Sequence, residues 1–373
     1  MLLVIFSFSN CSNHWTMMKM VENQPVKEQF KHWHQITERP YDINTDHSVQ
    51  RYKIFKANHE KIQKVNSENR GYTLGLGPFA DMTFEEFSKK YLSLKKPNKA
   101  KAQVGFLSYF DEQADKIIKE MQGETEEEYE DEKELSKHKF KDYSYLWPEV
   151  RNQSTCGSCW AFATTAVIEA NLALHSCEKF SFLSPQNLVD CDDENEGCNG
   201  GWYDQAFDYV KEKSISKEAA YPYVNKDGEC QERTPYLKVI EDVRCDPDND
   251  PSCSKKIRSG RALKSGPYAT AIYVSDEFML YKEGIVDYDC TQNEINHAVV
   301  AVYLNKGTDK YIKFRNSWGP DWGEEGYYRF KRSKKNSKTC YQEKYIYQVA
   351  EVEVVDNSEN SEVSQIENTT NTK

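Results

Sequence analysis

The chain has 373 residues, of which 38% are hydrophobic and 29% charged, with a formal net charge of −11. That length supports two or three domains with sizeable cores. The acidic balance argues against a nucleic-acid surface, and no stretch reaches the roughly 18 apolar residues that a membrane-spanning helix needs. The charge is concentrated: residues 111–134 hold twelve Asp/Glu against three Lys, and the remainder is close to neutral.

In chain order, "MLLVIFSFS" (1–9) is an apolar run without a basic flank, so 1–21 reads as a signal peptide or an uncertain start. Residues 22–92 are rich in helix formers and lack cysteine. Arg51, Phe55, Asn58, Ile62 and Asn66 are spaced to share one helix face. The glycines and proline of "LGLGPFADMTFEEF" break that helix, and Asp81 or Thr83 is placed to cap the next, beginning near "FEEF". The acidic stretch 111–138 reads as a solvated linker.

From Phe140 the chain becomes aromatic, Gly-rich and Cys-rich. "CWAFATTAVIEANLAL" (159–174) predicts a buried helix, and Ser184-Pro185-Gln186 predicts an N-cap with proline at the first helical position. Beyond about 265, "YATAIYV", "HAVVAVYL", "KYIKFRNSW" and "GYYRFKR" read as strands. Helices first and strands later point to an α+β architecture with two lobes. The tail 356–373 is polar and without apolar periodicity.

Ten of the eleven cysteines lie in 156–340. Such clustering points to a disulfide-bonded domain made in an oxidising compartment. Within it, Cys156-Gly157-Ser158-Cys159 could be half a zinc site, a redox pair, or a nucleophile beside a structural cysteine. Zinc would need a second compact ligand pair, and a redox motif would need a surrounding βαβ unit; neither pattern is present. A nucleophilic thiol needs a base and a group that orients the base. His297 in "INHAVVAVYL" and Asn316 in "FRNSWGPDWGEEGYYRF" supply those residue types.

With these residues in view, the sequence resembles a papain-family, cathepsin L-like cysteine protease with an N-terminal inhibitory prodomain. "NQSTCGSCWAFA", "GCNGGW", "NHAVV" and "RNSWGPDWGEEGYYR" resemble the family's nucleophile, substrate-glycine, histidine and asparagine motifs, in matching order. Arg51, Phe55, Asn58, Ile62 and Asn66 match the prodomain's helical motif, with His47 where Glu usually leads; Gly75, Phe79 and Asp81 match its second motif, with Gly77 where Asn is usual.

The resemblance implies a papain-like two-lobe fold, with a helical lobe and a β-barrel lobe, preceded by a helical inhibitor domain. Its parts would be 22–110 as prodomain, 111–138 as the linker cut on activation, and 139–355 as the peptidase domain. It implies Cys159 as nucleophile, His297 as its ion-pair partner, Asn316 orienting His297 under Trp318, and Gln153 as an oxyanion-hole donor. Gly200, Gly201, Trp202, Tyr203, Ala271 and Ile295 would bind substrate, with Tyr345 at the far wall of the P2 pocket. Disulfides would join Cys156–Cys198, Cys191–Cys230 and Cys290–Cys340; Cys245 and Cys253 could close a local loop, leaving Cys177 over. No metal or cofactor is implied. The expected partners are peptide and protein substrates and the chain's own prodomain, with no nucleic acid and no membrane. A monomer in the lysosome or outside the cell is expected.

Several positions depart from the family pattern. Ser154 stands where Gly is usual, Asn296 where Asp is common, Tyr341 follows Cys340 in place of Gly, and the segment 233–256 is long. None removes an expected catalytic residue. A non-catalytic relative acting as a binding or inhibitory module is the rival reading; such proteins usually lose Cys, His or Gln. Docking of the prodomain is expected to rest partly on carboxylates such as Asp81, so that acid releases it and the mature chain begins near 135–141. Sequons at Asn10, Asn152 and Asn368 are present, and a glycan at Asn152 would obstruct the cleft.

Overall fold

The face shared by Arg51, Phe55, Asn58, Ile62 and Asn66 becomes the spine of the N-terminal unit. The computed structural model describes residues 14–97, 140–176, 179–250, 253, 259–288, 290, 294–332 and 344–355. The expected linker, the tail, Cys177, Cys340, Tyr341 and the sequons at Asn10 and Asn368 lie outside these. Three helices open the chain: α1 (His14–Lys19), α2 (Val26–Ile36) and α3 (Asp46–Ser67). On α3, Phe55 packs against Phe30 and Trp33 of α2, and Ile62 joins the same apolar cluster.

The polar members of that face hold a loop. Asn58 Nδ2 donates to the carbonyls of Ala80 and Met82 at 2.9 Å each. Asn66 donates to the Leu74 carbonyl and accepts from its amide. Both satisfy backbone groups that no regular element would pair. Arg51 grips Glu86 with two hydrogen bonds, at 2.9 and 2.7 Å, and donates to the Asp81 carbonyl. Glu86 also closes a capping box with Thr83, the N-cap of α4 (Phe84–Tyr91).

Among the described residues, the hydrogen-bond and ion-pair partners of the Asp81 carboxylate lie in the N-terminal unit: it accepts from the Tyr41 hydroxyl and pairs with Arg39. The expected docking role for Asp81 is therefore corrected to internal bracing. Its partners lie about forty positions upstream, beyond the reach of a local motif. The described part of the 1–21 segment is also built into the fold: His14 is buried, and Trp15 Nε1 donates to the Gly323 carbonyl at 2.9 Å. A boundary at residue 21 would remove this packing.

The C-terminal part has two lobes. In the helical lobe, α5 (Cys159–His175) is buried along nearly its whole length, flanked by α6 (Pro185–Cys191) and α7 (Tyr203–Lys213). A helix apolar on all sides belongs at the centre of a core. Ser184 caps α6 as expected, accepting from the Asn187 amide. A short helix α8 (Ser259–Ser265) follows further along the chain.

The strands are β1 (Tyr72–Leu74), β2 (Leu237–Cys245), β3 (Tyr268–Ile272), β4 (Tyr281–Val286), β5 (His297–Asn305), β6 (Tyr311–Arg315), β7 (Tyr327–Lys331) and β8 (Ile346–Val354). They form one sheet in the order β1-β4-β7-β6-β5-β3-β8-β2. The expected closed barrel is corrected on this point: among the described residues the end strands do not pair. One end is β1, supplied by the N-terminal unit; the other is β2, which pairs along β8 and packs on α7.

The sheet-lobe core continues without a break into the N-terminal unit. Phe30, Phe55, Phe79 and Phe87 belong to the same apolar cluster as Phe278, Trp318 and Trp322. Disulfides join Cys156–Cys198 and Cys191–Cys230, as the resemblance implies, and Cys245–Cys253 closes a local loop. Cys290 is disulfide-bonded, and its expected partner Cys340 lies outside the described residues.

The Arg51 hydrogen bonds hold the Glu86 carboxyl down at about 2. A depressed carboxylate stabilises the fold above its unfolded value near 4.5, and that contribution is lost as pH falls toward the folded value. Unfolding of the N-terminal unit should therefore become easier between about pH 4.5 and 2. Glu86→Gln should flatten that dependence, measured by tryptophan fluorescence across the acid range; an unchanged slope would assign the acid sensitivity to other groups.

Candidate active site

The site is assembled from three segments. The nucleophile loop delivers Gln153 and Cys159, the start of β5 delivers His297, and the turn after β6 delivers Asn316 and Trp318. All five are buried. Cys159 is a free thiol on the first residue of α5, where helix partial charge favours an anion. Cys156 is locked to Cys198, so the question posed by the paired cysteines resolves in favour of a structural cysteine beside a free one.

His297 Nε2 lies 2.7 Å from Asn316 Oδ1. The Asn316 oxygen also accepts from the Ser317 amide, which fixes its orientation. As oxygen faces the ring, Nε2 carries the proton, and Nδ1 is left unpartnered in a buried setting. The Trp318 indole covers the imidazole with ring centroids 4.6 Å apart.

Gln153 is held through its backbone and its side chain, whose Nε2 donates to the Cys156 carbonyl at 3.0 Å. Its amide donates to the Ser317 carbonyl at 2.8 Å, and its side-chain Oε1 accepts from the Ser317 hydroxyl at 2.6 Å. Its carbonyl accepts from the Tyr223 hydroxyl, which also hydrogen-bonds Ser158. Ser154, next in the loop, has φ +51°, a left-handed conformation that favours glycine. The structure thus explains why glycine is the usual residue there; the Ser154 amide compensates by donating to Asn152 Oδ1.

Ser317 and Tyr223 were not singled out by the sequence. Ser317 carried a signal, since it sits between two expected site residues. Tyr223 carried none, because its link to the nucleophile loop spans 70 positions.

A strap from the N-terminal unit fills the cleft. The Tyr91 carbonyl accepts from Gln153 Nε2 at 3.3 Å, and the Ser93 hydroxyl donates to the Gly157 carbonyl at 2.6 Å. The Leu94 amide donates to the Asn296 carbonyl, and the Lys95 amide to the Gly201 carbonyl. Leu94 pairs with Gly201 as an isolated parallel bridge. Gly200 has φ +124°, and a Cβ there would overlap the Ser93 carbonyl oxygen. Glycine is required both by that conformation and by the close approach of the strap.

Leu94 is 6% exposed and belongs to the same apolar cluster as Trp202, Tyr203, Ala271 and Tyr345, with Ile295 packed against it. Beside the strap is a cavity of about 780 Å³, lined by Gly200, Gly201, Ile295 and Tyr345 among others. Trp202, Tyr203 and Ala271 do not line this open volume. Trp202 stacks on Tyr203 at 4.4 Å, and both rings abut Tyr347. These residues form the buried layer behind the cavity.

Under the strap, burial acts against charge on both Cys159 and His297. Burial raises the Cys159 thiol to about 11, against smaller opposing hydrogen bonds from the Ala298 and Ser93 backbone. Burial also lowers His297 to about 4, only partly offset by Asn316. Both directions favour neutral thiol and neutral imidazole, so the expected thiolate–imidazolium pair is disfavoured in this occluded form.

Fold and site together define a cysteine protease precursor whose cleft is filled by its own N-terminal unit. Comparison with known proteins agrees. Residues 136–350 match the Papain family cysteine protease profile, and residues 30–87 match the Cathepsin propeptide inhibitor domain (I29). The chain belongs to the papain family of cysteine proteases, with a cathepsin-type propeptide before the peptidase domain. Among similar proteins, Cysteine protease XCP2 of Arabidopsis thaliana is 35% identical over 318 residues, covering 82% of this chain and 81% of that one. Cathepsin L 2 of Paramecium tetraurelia is 33% identical over 306 residues, covering 80% and 86%. Among solved structures, the digestive procathepsin L2 proteinase of Tenebrio molitor larval midgut superposes with a TM-score of 0.69 at 26% identity, covering 88% of this chain and all of that one. A recombinant stem bromelain precursor gives 0.67 at 27%, covering 87% and 99%.

Leu94→Ala should loosen the strap. Truncating a buried leucine costs ~2–5 kcal/mol, so the open fraction of the precursor should rise by at least about tenfold. The rate at which a thiol-directed reagent modifies Cys159 in uncut precursor at neutral pH measures this. No rate change would show that Leu94 does not help to hold the strap.

Proposed function

We propose that this chain is the zymogen of a cysteine endopeptidase, with Cys159 as nucleophile and His297 as its acid–base partner. One observation carries the reading. Asn316 occupies Nε2 of His297 and leaves buried Nδ1 as the free ring nitrogen, while the free Cys159 thiol at a helix N-terminus takes a hydrogen bond from the backbone of Ala298, the residue after His297. Once the strap leaves and water returns, the burial that keeps thiol and imidazole neutral is relieved. Proton transfer from Cys159 to His297 then becomes accessible.

The thiolate adds to the substrate carbonyl carbon, and the developing oxyanion is met by Gln153 Nε2 and the Cys159 amide. In the precursor Gln153 Nε2 already donates to a carbonyl in the cleft, that of Tyr91, which supports this aim. The tetrahedral intermediate collapses with cleavage of the C–N bond, and His297 gives its proton to the departing amine. This leaves a thioester on Cys159. Water, activated by His297, then attacks the thioester; acid product leaves and the thiol is restored. Loss of one oxyanion donor typically costs ~3–4 kcal/mol.

The rival reading as a non-catalytic module has no support from the site, since Cys159, His297, Asn316 and Gln153 are all retained and mutually oriented. We further read the acidic segment 111–138 as the place of activation cleavage, with the mature chain beginning near 135–141. The disulfides support passage through the secretory pathway, to a lysosome-like compartment or the outside. Peptides and proteins are the substrates, and the enzyme acts as a monomer.

After acid treatment, a thiol-directed epoxide inhibitor should label Cys159 stoichiometrically and abolish peptidase activity. Cys159→Ala should remove turnover with the fold retained, because the Cys156–Cys198 crosslink survives. His297→Ala should lose most activity, and Asn316→Ala less, since it acts through His297. Near-normal turnover by Cys159→Ala would overturn the assignment.

The residues expected around the P2 side chain, Trp202, Tyr203, Ala271 and Ile295, include no Asp or Glu. Substrates should therefore prefer Leu or Phe at P2, gaining ~1.5–3 kcal/mol from apolar burial. A P2 library scored by kcat/KM tests this, and strong preference for Arg at P2 would contradict it.

A further inference from the structure

Past Leu94 the strap places Lys96 in a charged seat that the family motifs do not describe. Lys96 Nζ lies 2.7 Å from Asp246 Oδ1 and 2.7 Å from Asp248 Oδ2, and 4.6 Å from the centroid of the Tyr345 ring. Asp246 and Asp248 belong to the loop closed by Cys245–Cys253, within the long 233–256 segment. The seat is built. The Asp248 amide and Asn249 Nδ2 both donate to Asp246, and the Tyr345 hydroxyl donates to Asp248.

Departure of the strap changes the charge balance of this seat. In the precursor, Lys96 and Lys344 offset Asp246 and Asp248. Among the described residues, loss of the strap removes Lys96 and leaves two carboxylates with one ammonium, Lys344, beside an aromatic face. The adjoining rim loses a second cation at the same moment, since Lys95 pairs with Glu196. Glu294 lines the same cavity.

We propose that Asp246 and Asp248 form a specificity subsite for a basic side chain of the substrate. The proposal rests on the endopeptidase reading above and names a substrate class for it. Geometry sets the position. In an extended peptide, residues two apart share a face. Leu94 belongs to the apolar cluster that contains Tyr345, and Lys96, two positions on, sits over the Tyr345 ring. This relation holds whichever way a peptide runs. A substrate whose P2 residue takes the place of Leu94 therefore presents its P4 residue to the Asp246–Asp248 seat. The preferred substrates are peptides with Lys or Arg at P4 and an apolar residue at P2.

The test uses acid-activated full-chain enzyme and three fluorogenic peptides with Leu at P2, identical except for Lys, norleucine or Glu at P4. The expected kcat/KM order is Lys, then norleucine, then Glu, with about tenfold or more between Lys and Glu and the gap shrinking in high salt. Asp246→Asn should reduce the Lys-to-Glu ratio to about twofold or less. Asp246 also anchors its loop, so Asp248→Asn, at a more exposed carboxylate, is the second variant and should likewise reduce the Lys-to-Glu ratio. Equal cleavage of the three peptides by the unaltered enzyme, or a Lys preference that survives both substitutions, would overturn the subsite and leave the endopeptidase reading standing. Failure to cleave any of the three, together with no epoxide label on Cys159, would overturn both.

Discussion

The packing of Trp318 is the constraint on which the rest of the cleft depends. One face of its indole covers His297, and its edges receive Phe79 and Phe87 of the propeptide at 5.7 and 5.1 Å. Trp322 closes a further side at 4.8 Å. A single ring thus excludes water from the His297–Asn316 hydrogen bond and provides the platform on which the propeptide is built. Aromatic contacts of this kind add roughly 0.5–1.5 kcal/mol each to simple area burial. The inhibitor domain is therefore seated on part of the machinery it silences.

Latency in this arrangement has two components. The strap excludes substrate by occupying its path, from the carbonyl of Tyr91 at Gln153 to Leu94 at Gly201. It also changes the chemistry of what it covers, since a fully buried thiol and imidazole are more stable without charge. The two reinforce each other. Whatever lifts the strap readmits solvent as well as substrate, so reactivity and access return together.

Much of the site was legible in the sequence because its members lie in short runs whose spacing is set by local structure. Cys159 sits where a loop turns into a helix, His297 opens a strand, and Asn316 follows one. The helix face of α3 was legible for the same reason. Asp81 was misplaced because a lone acidic residue says nothing about which distant cation will meet it, and here that cation is Arg39. Trp202 and Tyr203 follow the substrate glycines in sequence, yet their size takes them into the core behind the cavity rather than onto its wall. Strands β2 and β8 went unread because charged residues interrupt their apolar alternation, as in "LKVIEDVRC". The open sheet was hidden because one of its end strands comes from the other end of the chain.

That end strand has a consequence of its own. In the precursor β1 hydrogen-bonds along β4, with Tyr72 opposite Gly284 and Thr73 opposite Glu283, and the Ile285 amide donates to the Gly71 carbonyl. When the propeptide departs, these backbone groups of β4 lose their partners. Loss of the propeptide would therefore uncover a bare sheet margin along β4, where a second extended chain could add itself by main-chain hydrogen bonds regardless of its side chains.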